Sequence, residues 1–279
     1  MSIMKTAAIA RNPKNSPGMY GKDRAILCSV ADILSSNGHS VQLLTEEEYA
    51  KEHSRFDIII NMSRTPSTLE KLCLAQAGGT IVANTPQAVR NCSRRIFTVC
   101  LQKENIPQPQ HTILNVDEAP PCEGYPLWIK KADGWSEHPS DVCYASNSDE
   151  ATEVLANFKS RGINEVIICR HIEGDIIKFY GIGQKFFRVC RPNPDDTKFG
   201  LEKINGTPHH YPIDSGKLHA AALAAARCTG VEIFGGDAII TPEGNIYIID
   251  LNDFPSFSAV RDEAAQAIYE LIVSKTKEQ

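Results

Sequence analysis

The 279-residue chain is 42% hydrophobic and 23% charged, an ordinary globular composition with enough apolar side chain for a core, which excludes general disorder. Its 29 basic and 34 acidic residues leave a net charge of -5, so nothing draws the chain as a whole toward nucleic acid. Apolar stretches such as Ile58–Ile60 and Leu218–Ala226 are far too short to span a membrane. Nine cysteines, odd in number and without a Cys-x-x-Cys pair, argue against a disulfide framework or zinc site and are expected as reduced, half-buried thiols. The opening MSIMKTAAIARNPK lacks the apolar stretch of a signal peptide, and a cytoplasmic protein is expected.

Thr6–Ala10 reads as a short strand. Lys22–Ser36 repeats apolar residues at Ala25, Ile26, Val30, Ile33 and Leu34, a helical period, and Asn37-Gly38 stops it. Ser40–Leu44, Phe56–Asn61 and Thr80–Val82 read as strands, with a helix Ser67–Ala77 between the last two, ended by Gly78-Gly79. Strand–helix alternation predicts a parallel sheet with helices on its faces. This α/β domain is placed at 1–85.

Ser93–Glu104 is a further helical pattern, running into Asn105-Ile106-Pro107-Gln108-Pro109, which cannot continue a helix. Strands follow at Thr112–Leu114, Leu127–Lys131 and Asp141–Ala145, then a helix Ser148–Ser160 with Ser148 as N-cap, then a strand Glu165–Cys169. These make a small α+β domain at 86–172. Ile176–Ile182 and Lys185–Cys190 flank Gly183-Gln184 as a hairpin. Pro192–Pro212 is polar and reads as a loop over a site. Lys217–Thr229 is an Ala-rich helix, Val231–Ile240 and Ile246–Leu251 are strands joined by Thr241-Pro242-Glu243-Gly244, and Val260–Ser274 is an amphipathic helix. The third domain is placed at 173–279.

Asp250 and Asn252 are two apart on a predicted strand, so their side chains share a face. The turn at 241–244 is expected to set Asp237 opposite Ile248, on that same face. Three hard oxygen side chains then converge, a set suited to magnesium with phosphate oxygens and water. Asp and Asn also begin turns for local reasons. However, Asp250 follows the apolar run Ile246–Ile249, and a carboxylate beside such a run is costly without a cation.

These strands, Gly235-Gly236-Asp237 and Ile249-Asp250-Leu251-Asn252, resemble the D…(E/D)xN pair that closes the ATP-grasp superfamily. Further blocks resemble it in order over 84–273. Asn84-Thr85-Pro86-Gln87-Ala88-Val89 is similar to "N-x-P-x-A-I", Arg94-Arg95 stands where Asp-Lys is usual, and Asn105-Ile106-Pro107-Gln108-Pro109 is similar to "G-I-P-x-P". Pro126-Leu127-Trp128-Ile129-Lys130-Lys131 resembles "P-x-V-x-K-P", and Cys169-Arg170-His171-Ile172-Glu173-Gly174-Asp175 resembles the hinge "Q-E-Y-I-x-G-x-D". The resemblance implies an α/β and α+β fold: a parallel N-terminal α/β domain, a small central domain and a C-terminal antiparallel domain, with ATP between the last two. It implies Lys130 and Arg95 as phosphate contacts and Gly134 and Ser136 in a loop over the phosphates. Ile168, Cys169, Arg170, His171, Ile172 and Asp175 would hold the nucleotide, and Asp237, Asp250 and Asn252 would hold two Mg2+ ions.

Within that superfamily three features favour a kinase that phosphorylates a hydroxyl of an inositol phosphate or similar polyol phosphate. The metal motif begins with Asp250, where most ligases have Glu. Asp133-Gly134-Trp135-Ser136-Glu137-His138 is similar to the inositol-trisphosphate kinase loop "G-x-x-S-H-E", with the Ser-His pair broken. Ile177-Lys178-Phe179-Tyr180-Gly181-Ile182-Gly183 with Arg191-Pro192 resembles "F-K-V-Y-V-V-G…R-R-P". The expected catalytic residues are Lys178, Arg191 and His138. Arg11, Lys14 and Arg64 are expected around an anionic small-molecule acceptor, since ligands of open α/β sheets sit at the carboxyl ends of strands, and Phe254-Pro255-Ser256-Phe257 resembles the family's "F-P-G-Y", which implies Ser256 as a further acceptor contact. The alternative is an ADP-forming carboxylate–amine or carboxylate–thiol ligase of RimK-like or glutathione synthetase-like type, whose motifs Lys178 and Arg191 also match. A third reading is a non-catalytic ATP sensor. No nucleic-acid or membrane partner is expected, and the oligomeric state stays open.

Overall fold

Three four-stranded sheets organise the chain in the computed structural model, which describes residues 3–192 and 204–277. All the predicted strands and helices are present, with shifted ends. The first sheet holds β1 (Lys5–Ala10), β2 (Ser40–Thr45), β3 (Ile58–Asn61) and β4 (Ile81–Ala83). They run parallel in the order β2-β1-β3-β4. β3 is buried at every residue and β1 at all but its first, as suits apolar strands covered on both faces. Helix α1 (Tyr20–Ser36) buries Ile26, Leu27, Val30 and Leu34. Helix α8 (Arg261–Lys277) returns from the far end of the chain to lie on it, adding Ile268 and Ile272 to the same core.

Two short helices were not predicted, α2 (Glu46–Lys51) and α4 (Pro86–Asn91); α3 (Pro66–Ala77) lies between them. Each has a threonine cap. The Thr45 hydroxyl accepts from the Glu48 amide at 3.1 Å while the Glu48 carboxylate accepts from the Thr45 amide at 2.8 Å, a reciprocal capping box. The Thr85 hydroxyl accepts from the Ala88 amide at 3.2 Å, with Pro86 first in the helix. Asn84, just before, is a fully buried strut between sheets. Its amide nitrogen donates to the Ile233 carbonyl at 2.8 Å and its oxygen accepts from the Glu232 and Ile233 amides.

Helix α5 (Arg94–Lys103) leads to the second sheet, β5 (His111–Asn115), β6 (Leu127–Lys131), β7 (Val142–Ala145) and β8 (Glu165–Arg170), antiparallel in the order β5-β8-β6-β7. Helix α6 (Ser148–Ser160) covers it with Ala151, Leu155 and Phe158. Its N-cap is Asn147, not Ser148: the Asn147 side chain accepts from the Glu150 amide at 3.0 Å. The third sheet has β9 (Asp175–Ile182), β10 (Phe186–Cys190), β11 (Ile233–Ile240) and β12 (Ile246–Asp253), antiparallel in the order β10-β9-β11-β12. Helix α7 (Ser215–Thr229) closes one face with Leu218, Ala222 and Ala225. Of the predicted loop 192–212, residues 193–203 lie outside the described residues, and 206–212 carry no helix or strand.

Two expectations are corrected. Asp237 lies opposite Asp250, and Ala238 lies opposite Ile248, so Ile249 is a bulged extra residue. Ile248 is therefore buried on the helix-covered face rather than beside the carboxylates. The cysteines are not all separate thiols: Cys100 of α5 and Cys228 of α7 stand sulfur to sulfur in a disulfide contact, with Cα atoms 6.1 Å apart. Among the described residues no helix is long and apolar enough to cross a membrane.

Candidate active site

A cavity of about 330 Å³ opens where the three sheets meet. Its floor is the uncovered face of β9, β11 and β12. Cross-strand pairing sets Asp237 against Asp250 and Gly235 against Asn252, so the three oxygen side chains share the cavity face. The Asn252 amide donates to Asp250 Oδ2 at 3.2 Å. Lys178, paired with Asp237 across β9, donates from Nζ to Asp237 Oδ1 at 3.0 Å. Gly235 keeps the floor clear, since a Cβ there would stand 2.8 Å from Pro255 and 3.0 Å from the Tyr180 ring.

Two half-buried carboxylates and an amide are a hard donor set. No group of three or more His, Cys, Asp or Glu forms among the described residues. Two carboxylates and an amide leave room for an ion that completes its shell with phosphate oxygens and water, which is the habit of magnesium.

The roof is β6 and β8. Lys130 and Trp128, two apart on β6, both border the cavity, together with Cys169, Arg170 and Ile172. Trp128 Nε1 donates to His171 Nδ1 at 3.1 Å, and the Tyr144 ring stands edge-on to both. Burial lowers the His171 pKa against the pull of Glu173. Burial raises the Cys169 thiol, opposed by Lys130 and Arg94. The Ile168 side chain points away, into the core under the sheet.

Of the two arginines opening α5, the cavity is bordered by Arg94 and not by Arg95. Arg94 donates to the Lys131 carbonyl at 2.6 Å and to the Ser136 hydroxyl at 2.7 Å. Arg95 turns outward and pairs with Glu165 at 2.7 Å, half exposed. Successive helical residues point about 100° apart, so a resemblance that fixes the segment does not fix which arginine enters. The first-turn amides of Arg94 and Arg95 also donate to the Gly134 and Ala132 carbonyls at 3.2 and 3.0 Å, which draws the Gly134–Ser136 loop over the cavity.

Other expected residues stand elsewhere. His138 is exposed, its Nδ1 accepting from the Ser140 amide at 3.1 Å as the cap of a short 3-10 turn. Arg191 does not border the cavity; it donates to Asp175 Oδ2 and to the Tyr211 carbonyl, both at 3.1 Å. Asp175 is buried and also accepts from the His209 and Tyr211 amides, at 2.8 and 2.9 Å, so its carboxylate is spent on pinning that segment. These donors hold its pKa below the usual carboxylate value against the opposing effect of burial. Lys14 is exposed and off the cavity. Ser256 borders it and shares a 2.8 Å hydrogen bond with Ser258.

Arg11 and Arg64 border the cavity but are engaged. Both are 6% exposed and converge on Asp253, which is fully buried. Arg64 donates from Nε and Nη2 to Asp253 Oδ1 at 3.0 and 2.6 Å. Arg11 donates from Nη2 to Asp253 Oδ2 at 3.1 Å, from Nη1 to Asp23 Oδ2 at 3.1 Å and from Nε to the Met62 carbonyl at 3.1 Å. Trp135 lies over Arg64, with the guanidinium carbon 4.5 Å from the ring centre. The residues not foreseen are thus Arg94, Trp128, Trp135 and Asp253. Trp128 had a local signal, its spacing of two from Lys130, and Arg94 and Trp135 lie in segments that the resemblance singles out; Asp253 had none.

No protein-family model and no curated protein matches the chain. Solved structures do match over nearly its whole length. A D-alanine–D-alanine ligase from Bacillus anthracis complexed with ATP superposes with a TM-score of 0.72 at 15% identity, covering 99% of this chain and 100% of that one. A RimK domain ATP-grasp protein from Sphaerobacter thermophilus gives 0.70 at 17% identity, covering 96% and 98%. The D-alanine–D-alanine ligase from Coxiella burnetii gives 0.70 at 10% identity, covering 99% and 97%. With a parallel sheet followed by two antiparallel sheets around one cavity, the chain has the ATP-grasp fold.

Proposed function

We propose that the chain is a magnesium- and ATP-dependent ligase. It transfers the γ-phosphoryl group of ATP to a carboxylate and joins the acyl phosphate to an amine or thiol, releasing ADP and phosphate. The observation that carries the reading is the cavity in which Asp237, Asp250 and Asn252 face Lys130 and Arg94. Anionic donors on one wall and cations on the other suit a metal-bound triphosphate. The ligase neighbours, which match the whole chain, favour acyl transfer over a hydroxyl acceptor.

Lys130 and Arg94 bind phosphate oxygens from the roof. Lys178 holds Asp237 from the side and presents a positive charge to the transferring group. The backbone around Cys169, Arg170 and Ile172 borders the base. When bound, magnesium neutralises charge on the phosphate oxygens. The Gly134–Ser136 loop keeps water from the reactive acyl phosphate.

A hydroxyl kinase is the second reading, favoured by Asp250 at the first position of the metal motif. Two placements count against a polyphosphate acceptor. His138 is off the cavity, and Arg11 and Arg64 are already neutralised by Asp23 and Asp253. The test is mass spectrometry of products after incubation with Mg-ATP and two acceptor pools, one of amino acids with carboxylates and one of polyol phosphates. A condensed product with ADP and free phosphate is expected. A stable phosphorylated product without free phosphate refutes the ligase reading.

A further inference from the structure

We propose that Trp135 is a positioning residue that latches the loop over the phosphates to the first sheet through Arg64. The loop leaves β6 directly after Lys130 and Lys131. One side of it is tied to α5 by the Arg94 and Arg95 amides and by the Arg94 side chain on Ser136. On the other side Trp135 reaches the core of the first sheet and packs against the cluster that holds Ala7, Ile9, Leu69 and Val89. Its indole Nε1 is buried without a hydrogen-bond partner. The ring is held by its face on the guanidinium and by apolar contact, and it accepts the cost of a buried unpaired N–H.

Arg64 is a fixed anchor for that ring. Its Nε and Nη2 both bond to Asp253, which immediately follows Asn252 in β12. A continuous path therefore joins the metal donors, Asp253, Arg64, Trp135 and the phosphate loop. A loop tied only to α5 would close over ATP whatever the state of the first sheet. With Trp135 it closes fully only when the first sheet and β12 are in register, which is also where the acceptor chamber forms. This second consequence rests on the ligase reading, since it concerns water reaching a γ-phosphoryl group meant for the acceptor.

The test uses the full chain and two readouts. Hydrogen exchange of the ATP-free protein addresses the latch alone. Trp135→Ala is expected to speed exchange of the amides of 132–138 by about tenfold while β1, β3 and β6 keep their protection. Trp135→Phe, which keeps an aromatic face, is expected to fall between. Unchanged exchange in the loop overturns the proposal. Faster exchange spread through β1 and β3 also overturns it, since that is the mark of a core side chain. The kinetic readout is ADP formation without acceptor, in which water takes the γ-phosphoryl group and ADP, phosphate and a proton are released. Trp135→Ala is expected to raise this leak relative to coupled product by about tenfold, with a higher KM for ATP. A parallel fall in leak and coupled turnover overturns the coupling. If the parent chain joins nothing in either acceptor pool, the ligase reading fails, and the exchange result still decides the latch.

Discussion

Replacing Asp253 by Asn removes one negative charge from the most buried ionic cluster among the described residues and leaves its shape nearly unchanged. The carboxylate has no solvent exposure and takes Arg64 through Nε and Nη2 and Arg11 through Nη2. Arg11 also bonds to the carbonyls of Asp253 and Phe254, at 2.7 and 3.2 Å, and so holds a turn in which Phe254 has a φ of 48°, a region costly for a residue with a Cβ. Burial already depresses the Arg11 pKa, and Arg64 depresses it further. Removing one partner of a buried ion pair costs about 3–5 kcal/mol, because the charge left behind is uncompensated. Arg11 keeps Asp23 at 3.1 Å, so the lower end, about 3 kcal/mol, is expected. Urea unfolding followed by circular dichroism and fluorescence measures it, with a lowered midpoint and an unchanged slope. A loss under about 1 kcal/mol, the worth of an exposed pair, would refute the view that this cluster fastens the first sheet to β12.

Other consequences follow from the same geometry. Asp250→Asn is expected to lower turnover by about 10²- to 10³-fold, and unchanged activity would remove the metal assignment. Arg94→Ala is expected to weaken ATP binding by roughly 10-fold or more, the loss of charged hydrogen bonds, while Arg95→Ala leaves it within about twofold because its partner is an exposed carboxylate; titration calorimetry separates them. Asp141 and Asp175 have folded pKa values below the ordinary 3.8, Asp141 through Arg161 and the Glu137 and His138 amides, Asp175 through the His209 and Tyr211 amides and Arg191, in each case against burial. Their stabilisation is complete above the unfolded value and is lost as pH falls through the lower folded values. Asp175→Asn should therefore lose less stability than the parent on acidification from neutral pH to below the ordinary 3.8, read from urea midpoints. Trp128 and Trp135 both border the cavity, so Mg-ATP is expected to change tryptophan emission, and Trp128→Phe isolates the response of the loop.

The layers were legible because their signals are local. Apolar runs at Ala7–Ile9 and Ile58–Ile60 gave buried strands, and the period of Ile26, Val30 and Leu34 gave α1. The two six-residue helices α2 and α4 escaped because they are too short to display a period, although Thr45 with Glu48 and Thr85 with Pro86 are start signals. Alternation along 250–252 was enough to align the oxygen donors, but the bulge at Ile249 was not, since nothing in a pair of apolar strands marks which residue is extra. Arg94 against Arg95 turned on helix orientation. The least legible group was Arg11, Arg64 and Asp253. Arg64 and Asp253 are 189 residues apart in the chain; the sequence places Arg64 beside an anionic acceptor and gives no reason to pair it with Asp253.

That illegible group also explains how the site holds its shape. In β12 the side chains alternate: Asp250 and Asn252 face the cavity, Leu251 enters the core, and Asp253 turns to Arg11 and Arg64. One strand end therefore presents the oxygen side chains of Asp250 and Asn252 on one face and fastens itself to the first sheet on the other, one residue apart. If the proposed ligase reading holds, that economy matters, because the acceptor must arrive in line with a phosphoryl group fixed from the opposite side, and an error of an ångström is costly. Had Arg11 and Arg64 been free to bind an anionic acceptor, the first sheet would have lost its tie to β12. Their burial against Asp253 assigns them to holding the first sheet in line with β12, and under the proposed reading that is what brings an acceptor to the phosphoryl group in the right place.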